Sequence, residues 1–152
     1  MSNLAPSPLV IQLFGELLLL DQFLRNRIAK ALPEEVELSQ FLVLLHLATS
    51  GEELGPARLA TSFNVTRGAM SNTLGRLERA GQITMRGDTV DARRKFVSIS
   101  EAGQRTLDEV VGAINPRLRE TLSRHPRTEI GQCLTLLSEL RDSLETSRLS
   151  PL

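Results

Sequence analysis

The chain has 152 residues, 41% of them hydrophobic and 24% charged, with 18 basic and 18 acidic side chains and a formal charge of zero. That size suits one compact domain, and the composition is that of a globular protein rather than a disordered one. A lone cysteine (Cys133) excludes an internal disulfide, and the longest apolar runs, 17–20 and 41–45, are far too short to span a bilayer.

From Pro8 to about Lys30, Leu13, Leu17, Leu20, Leu24 and Ile28 recur at spacings of three and four, which predicts a helix. Leu18, Leu19 and Phe23 widen the stripe until 17–20 is apolar nearly all round. Such a helix needs burial on more than one side, including against a second subunit. No basic residue precedes Arg25, so no signal peptide is expected and the expected location is the cytoplasm. Ser39 is the expected N-cap of a second helix, running from Gln40 to about Thr49 and ended by Ser50-Gly51. Pro56 suits the first turn of a short helix reaching Phe63. Asn64-Val65 then turns the chain, and Thr66 caps a helix over 67–80 that Gly81 ends.

The period changes next. Residues 83–86 and 95–99 alternate apolar and polar around a turn-rich, basic stretch, which predicts a β-hairpin. Ser100 caps a further helix carrying Leu107, Val110, Val111, Ile114, Leu118 and Leu122, with a kink or break expected near Asn115 because of Gly112 and Pro116. A last helix, about 128–147, bears the stripe Ile130, Leu134, Leu137, Leu140 and Leu144.

The expected fold is therefore mainly α with a small β-hairpin, in the order α-α-α-α-β-β-α-α. Helix, turn, helix and hairpin make a winged helix-turn-helix over 36–100, and the leucine-rich ends, 1–35 and 101–152, form a helical dimerisation region of the same integrated domain. Leu9, Leu13, Leu17, Leu20, Leu134, Leu137, Leu140 and Leu144 are the candidate dimer contacts.

Charge is unevenly placed. Residues 1–53 carry 3 basic and 7 acidic side chains, residues 54–100 carry 8 and 3, and residues 101–152 carry 7 and 8. A basic centre between acidic or neutral flanks points towards nucleic acid. At 100° per residue, Met70, Leu74 and Leu77 share the inward face of the 67–80 helix, and Gly68, Asn72, Gly75, Arg76 and Arg79 the outward face, with Ser71 on its flank. Asn pairs bidentately with adenine, Arg with guanine or phosphate, and Ser with either, so this face suits the major groove. Two glycines inside a helix cost about 1 kcal/mol each relative to alanine. Close approach to DNA or to a neighbouring helix would account for them. Arg93, Arg94 and Lys95 give the wing (84–97) a tip charged to reach a minor groove or phosphates.

The stretch from Leu59 to Ile83, with Asp91-Ala92-Arg93 in the wing and Val97-Ser98-Ile99-Ser100-Glu101-Ala102-Gly103 after it, resembles the multiple-antibiotic-resistance-regulator (MarR) family. The segment Leu38–Leu44 is similar to that family's second helix. The resemblance implies a homodimeric transcription regulator, usually a repressor relieved by a small ligand or oxidant. Its partner would be double-stranded DNA carrying a pseudo-palindromic operator. It also places Ser71, Asn72 and Arg76 on the DNA-contacting helix, Arg93 at the wing tip and Asp91 as that arginine's partner. The full candidate DNA-binding set is Thr66, Arg67, Ser71, Asn72, Arg76, Arg86, Asp91, Arg93, Arg94 and Lys95.

Plainer roles stand beside these. Arg94 and Lys95 would also guard a strand edge, and Arg79 would also complement its helix dipole. Cys133, on an apolar stripe, reads as a buried inert thiol, the alternative being a redox switch. His46 and His125 are too far apart for a metal site, no cofactor is implied, and no catalytic constellation emerges, so an enzyme is not expected. The rival to DNA binding is a winged-helix module used only for protein interaction or dimerisation.

Overall fold

The structure, a computed structural model, describes residues 7–89, 91 and 94–146, without side chains at 145–146. Helix α1 (Pro8–Ala31) starts with Pro8 in its first turn and Ser7 Oγ accepting from Leu9 N–H. Helices α2 (Leu38–Ser50), α3 (Pro56–Ser62) and α4 (Arg67–Arg79) follow, then strands β1 (Ile83–Gly87) and β2 (Lys95–Ile99), then α5 (Glu101–Leu122) and α6 (Arg127–Thr146). This is the expected order of elements. Among the described residues no helix is long and apolar enough to cross a membrane.

One helix start and one expected break differ from the sequence reading. Helix α2 begins one residue before Ser39 and is capped by Glu37, whose N–H donates to Gln40 Oε1 at 2.7 Å. A capping box with a glutamine three residues on outcompetes the serine as the start signal. Helix α5 runs unbroken through Pro116. Pro116 and Gly112 both face solvent, so the carbonyl that loses its partner stays hydrated and the break is unnecessary.

The turns follow backbone chemistry. Asn64 takes φ +53° between α3 and α4, a left-handed conformation that asparagine tolerates. Gly81 at φ +69° reverses the chain from α4 into the wing. The strands pair antiparallel, Ile83 with Ile99 and Met85 with Val97, so one apolar face turns inward. Leu54 adds a short third edge that the sequence did not announce, its carbonyl accepting from Val97 N–H at 2.9 Å.

Two apolar clusters result. One fills the winged lobe with Val43, Leu44 and Leu47 of α2, Leu59 of α3, Met70, Leu74 and Leu77 of α4, and Ile83 and Val97 of the hairpin. The other joins Ile28 of α1, Phe41 of α2, and Leu107 and Val110 of α5. Phe41 and Val43 sit two residues apart and serve different clusters, so α2 is the shared wall. A polar knot ties wing to α5. Ser100 Oγ caps α5 by accepting from Gly103 N–H at 3.1 Å and donates to the Gly81 carbonyl at 2.6 Å. Ser100 N–H donates to the Gln82 carbonyl at 3.0 Å, and buried Gln82 reaches Thr106 Oγ1 at 3.1 Å. Gly103 lies so close to Gln82 that a Cβ there would sit 2.1 Å from its carbonyl oxygen.

Candidate nucleic-acid interface

Helix α4 presents its polar side to solvent because its apolar side is used up. Met70, Leu74 and Leu77 are buried in the lobe, which leaves Gly68, Ser71, Asn72, Arg76 and Arg79 exposed. Thr66 caps the helix, its Oγ1 accepting from Ala69 N–H at 3.1 Å. Neither glycine of the face meets a neighbouring helix. A Cβ at Gly75 would find nothing within 4 Å, and one at Gly68 only its own cap Thr66 at 4.0 Å. Of the two reasons offered for these glycines, packing within the chain is therefore removed.

The two flanks of α4 meet different partners. On the wing side, Arg67 and Ser71 line a groove of about 380 Å³ with Gly55, Pro56 and Ala57 at the start of α3 and Arg94, Lys95 and Phe96 at the wing. On the other side, Arg76 hydrogen-bonds through Nη1 to Glu37 Oε1 at the start of α2 while staying exposed. Arg79 turns back on its own helix, Nε donating to the Gly75 carbonyl at 3.0 Å.

In the wing, Arg86 Nε donates to Glu53 Oε1 at 2.8 Å and Arg86 Nη2 to Glu53 Oε2. This two-point pair lies above the Phe96 ring, whose centroid is 4.9 Å from the guanidinium carbon. Ser98 Oγ donates to the same carboxylate at 3.1 Å. The hydrogen bond from Arg86, helped by Ser98, holds the Glu53 carboxyl below its ordinary range, and Glu53 in turn raises Arg86. Most of the Arg86 donor edge is thereby committed inside the chain. At the tip, Arg94 N–H donates to the Asp91 carbonyl at 2.8 Å and Arg94 Nε lies 3.7 Å from the Asp91 carboxylate. Arg93 lies outside the described residues, so the structure does not speak to its expected pairing with Asp91.

The sequence reading missed Glu37 and Glu53. Each sits 33 to 39 residues from its arginine, in a loop or at a helix end, and no local spacing links them. Other sequence candidates stay apart from this interface. His46 packs edge-on against Phe63, with ring centroids 5.3 Å apart, and His125 Nδ1 lies 3.2 Å from Glu129. Cys133 is exposed, contrary to the expected buried thiol, because nearly all of α6, its apolar stripe included, is open in the single chain.

A capped recognition-type helix packed beside a two-stranded hairpin, with a basic groove between them, defines a winged-helix protein. Residues 35–94 match the model of the MarR family. Solved structures of similar fold include NadR in complex with 4-hydroxyphenylacetate, at 23% identity over 93% of this chain and 96% of that one, with a TM-score of 0.72. A MepR mutant from a multidrug-resistant S. aureus clinical isolate gives 21%, 88%, 95% and 0.70 in the same order. A mutant MarR from E. coli complexed with operator DNA gives 20%, 86%, 94% and 0.60. No curated protein sequence matches the chain. The family match is confined to the winged-helix lobe, and the solved structures, all under 25% identical, share the fold of nearly the whole chain.

Proposed function

We propose that the protein is a homodimeric, sequence-specific DNA-binding regulator, without enzymatic activity, that represses transcription until a small ligand relieves it. The observation that carries DNA binding is the solvent face of α4. Among the described residues a Cβ at Gly75 would meet nothing and one at Gly68 only Thr66, and the helix runs beside a groove lined by Arg67, Ser71, Arg94 and Lys95. A helix whose backbone is left bare on its polar side accepts the close approach of a major-groove edge. In this reading Asn72 and Ser71 contact bases, Arg67, Arg94 and Lys95 neutralise phosphates at the groove, and Arg93 contributes a further cation for the minor groove or phosphates. Thr66 holds the helix start, Arg86 braces the wing and Asp91 orients its tip.

Residues 36–100 serve as the DNA-reading lobe, and 1–35 with 101–152 as the dimerisation region. The apolar surface of the terminal helices supports the homodimer. Leu9 is 72% exposed, Phe23 65% and Leu144 68%, with Phe14, Leu20 and Leu134 also open. Leu13, Leu17, Leu137 and Leu140 continue these stripes. So much apolar surface on the terminal helices calls for a second copy. For the effector, an apolar groove of about 380 Å³ bounded by Arg25, Leu38, Leu42, Phe63 and Met70 has suitable room. That a small-molecule complex of NadR, a protein of similar fold, is known supports a ligand-responsive reading.

The test is selection of duplexes from a random-sequence pool, followed by mobility shifts over a salt series. A dimer-sized complex is expected, with log affinity falling linearly in log salt by about 0.9 per neutralised phosphate. Recovery of no salt-sensitive complex from the pool would end the DNA reading and favour the protein-interaction alternative.

A further inference from the structure

We infer that Glu37 is a positioning residue for base recognition, holding one edge of the Arg76 guanidinium so that its other edge meets a base with less freedom to lose. This rests on the DNA-reading role proposed above. Glu37 is well suited to hold something still. Its N–H is fixed by the buried Gln40 side chain at 2.7 Å, and its carbonyl accepts from Gln40 and Phe41 N–H, each at 3.0 Å. Phe41 is itself fully buried in the α1–α2–α5 cluster. The carboxylate thus projects from a point rooted in the core and reaches the recognition helix 39 residues further on.

The pair engages Arg76 through Nη1 alone among the described hydrogen bonds, so Nε and Nη2 stay available. Arg86 differs, since Glu53 takes two of its nitrogens. An exposed ion pair does little for folding, and both partners here are about half exposed. Its consequence is conformational. A free arginine loses much rotamer freedom when a base fixes it, and a side chain already held loses less. A carboxylate beside a polyanion also weakens general attraction, so the pair exchanges indiscriminate affinity for selectivity.

The experiment uses the full-length protein and a duplex that the wild type selects from a random pool, together with single base-pair variants of that duplex. Arg76→Ala is expected to erase discrimination at one base pair of each half-site. Glu37→Gln, close to isosteric, is expected to lower discrimination at the same base pair roughly tenfold, within the range a bidentate contact supplies. It should leave binding to unrelated duplexes equal or tighter. The double variant should lose no more than Arg76→Ala alone. Arg76→Lys keeps the charge but lacks a second edge, so it should lose discrimination with an unchanged salt slope. If Glu37→Gln folds poorly, Glu37→Asp carries the test, since its shorter side chain withdraws the carboxylate from Arg76 and should lower discrimination at the same base pair. Undiminished discrimination in Glu37→Gln, or in Arg76→Ala, overturns the inference while the DNA reading stands. Failure of the wild type to select any duplex overturns both.

Discussion

Gly103→Ala places a methyl group where the structure has no room for one. The new Cβ would stand 2.1 Å from the Gln82 carbonyl oxygen, 2.9 Å from Ile99 Cγ1 and 3.1 Å from the Gln82 carbonyl carbon. Ordinary contact begins at 3.4 Å, so α5 and the α4–β1 turn must separate by more than an ångström. Gln82 is buried and its carbonyl belongs to the backbone, so neither can swing aside. The separation stretches the Ser100 N–H bond to Gln82 and the Gln82 bond to Thr106, now 3.0 and 3.1 Å. Each is worth about 1 kcal/mol net. Overpacking adds about 1–3 kcal/mol, and the better helix propensity of alanine returns up to about 1. The expected loss is about 2–4 kcal/mol, or on the order of 5–15 °C in Tm for a chain of this size. Differential scanning calorimetry of wild type and variant at equal protein concentration measures it, since dimerisation would make Tm concentration-dependent. An unchanged or raised Tm would refute the close-approach argument and the knot built on it.

Gly75→Ala should act in the opposite sense on stability, raising it by about 0.5–1 kcal/mol because the added methyl meets nothing, while weakening binding to a selected duplex. Tighter binding together with greater stability would remove the glycine argument for DNA approach. Leu20→Asp with Leu134→Asp should convert a dimer to monomers in sedimentation analysis, and a monomeric wild type would sink the homodimer. The Glu53 carboxyl is held low by Arg86, so the clamp is fully formed above the ordinary carboxylate pKa and opens as pH falls through the lowered value. A carboxyl-resolved NMR titration should place the Glu53 midpoint below that of a typical glutamate, and Arg86→Gln should bring it back up. Should wild type and Arg86→Gln share one midpoint, the clamp is absent in solution.

Much of this molecule was legible along the chain because its signals are local. Apolar spacing of three and four located the long helices, Thr66 and Ser100 marked helix starts, and alternation over 83–86 and 95–99 revealed the hairpin. The inward face of α4 followed from geometry alone, since 100° per residue leaves Met70, Leu74 and Leu77 no other side. Local signals also misled. Ser39 looked like a cap until Gln40 bonded back to Glu37, and of the kink or break expected near Asn115 the break does not occur on a helix whose solvent side tolerates Pro116.

What the sequence determined by itself was the class: a winged helix with a basic centre and apolar ends, because period, caps and charge blocks are properties of neighbours in the chain. What only the tertiary structure decided was how the basic residues are used. Arg76 and Arg86 look equivalent to Arg67 and Arg94 in the sequence, yet the fold gives the first two carboxylate partners from distant segments and lines a groove with the others. The reason is that an ion pair is made by whichever charges the core brings within about 4 Å. Packing of α2 against α4, and of the Leu54 edge against β2, sets those distances, and no spacing rule along the chain encodes them.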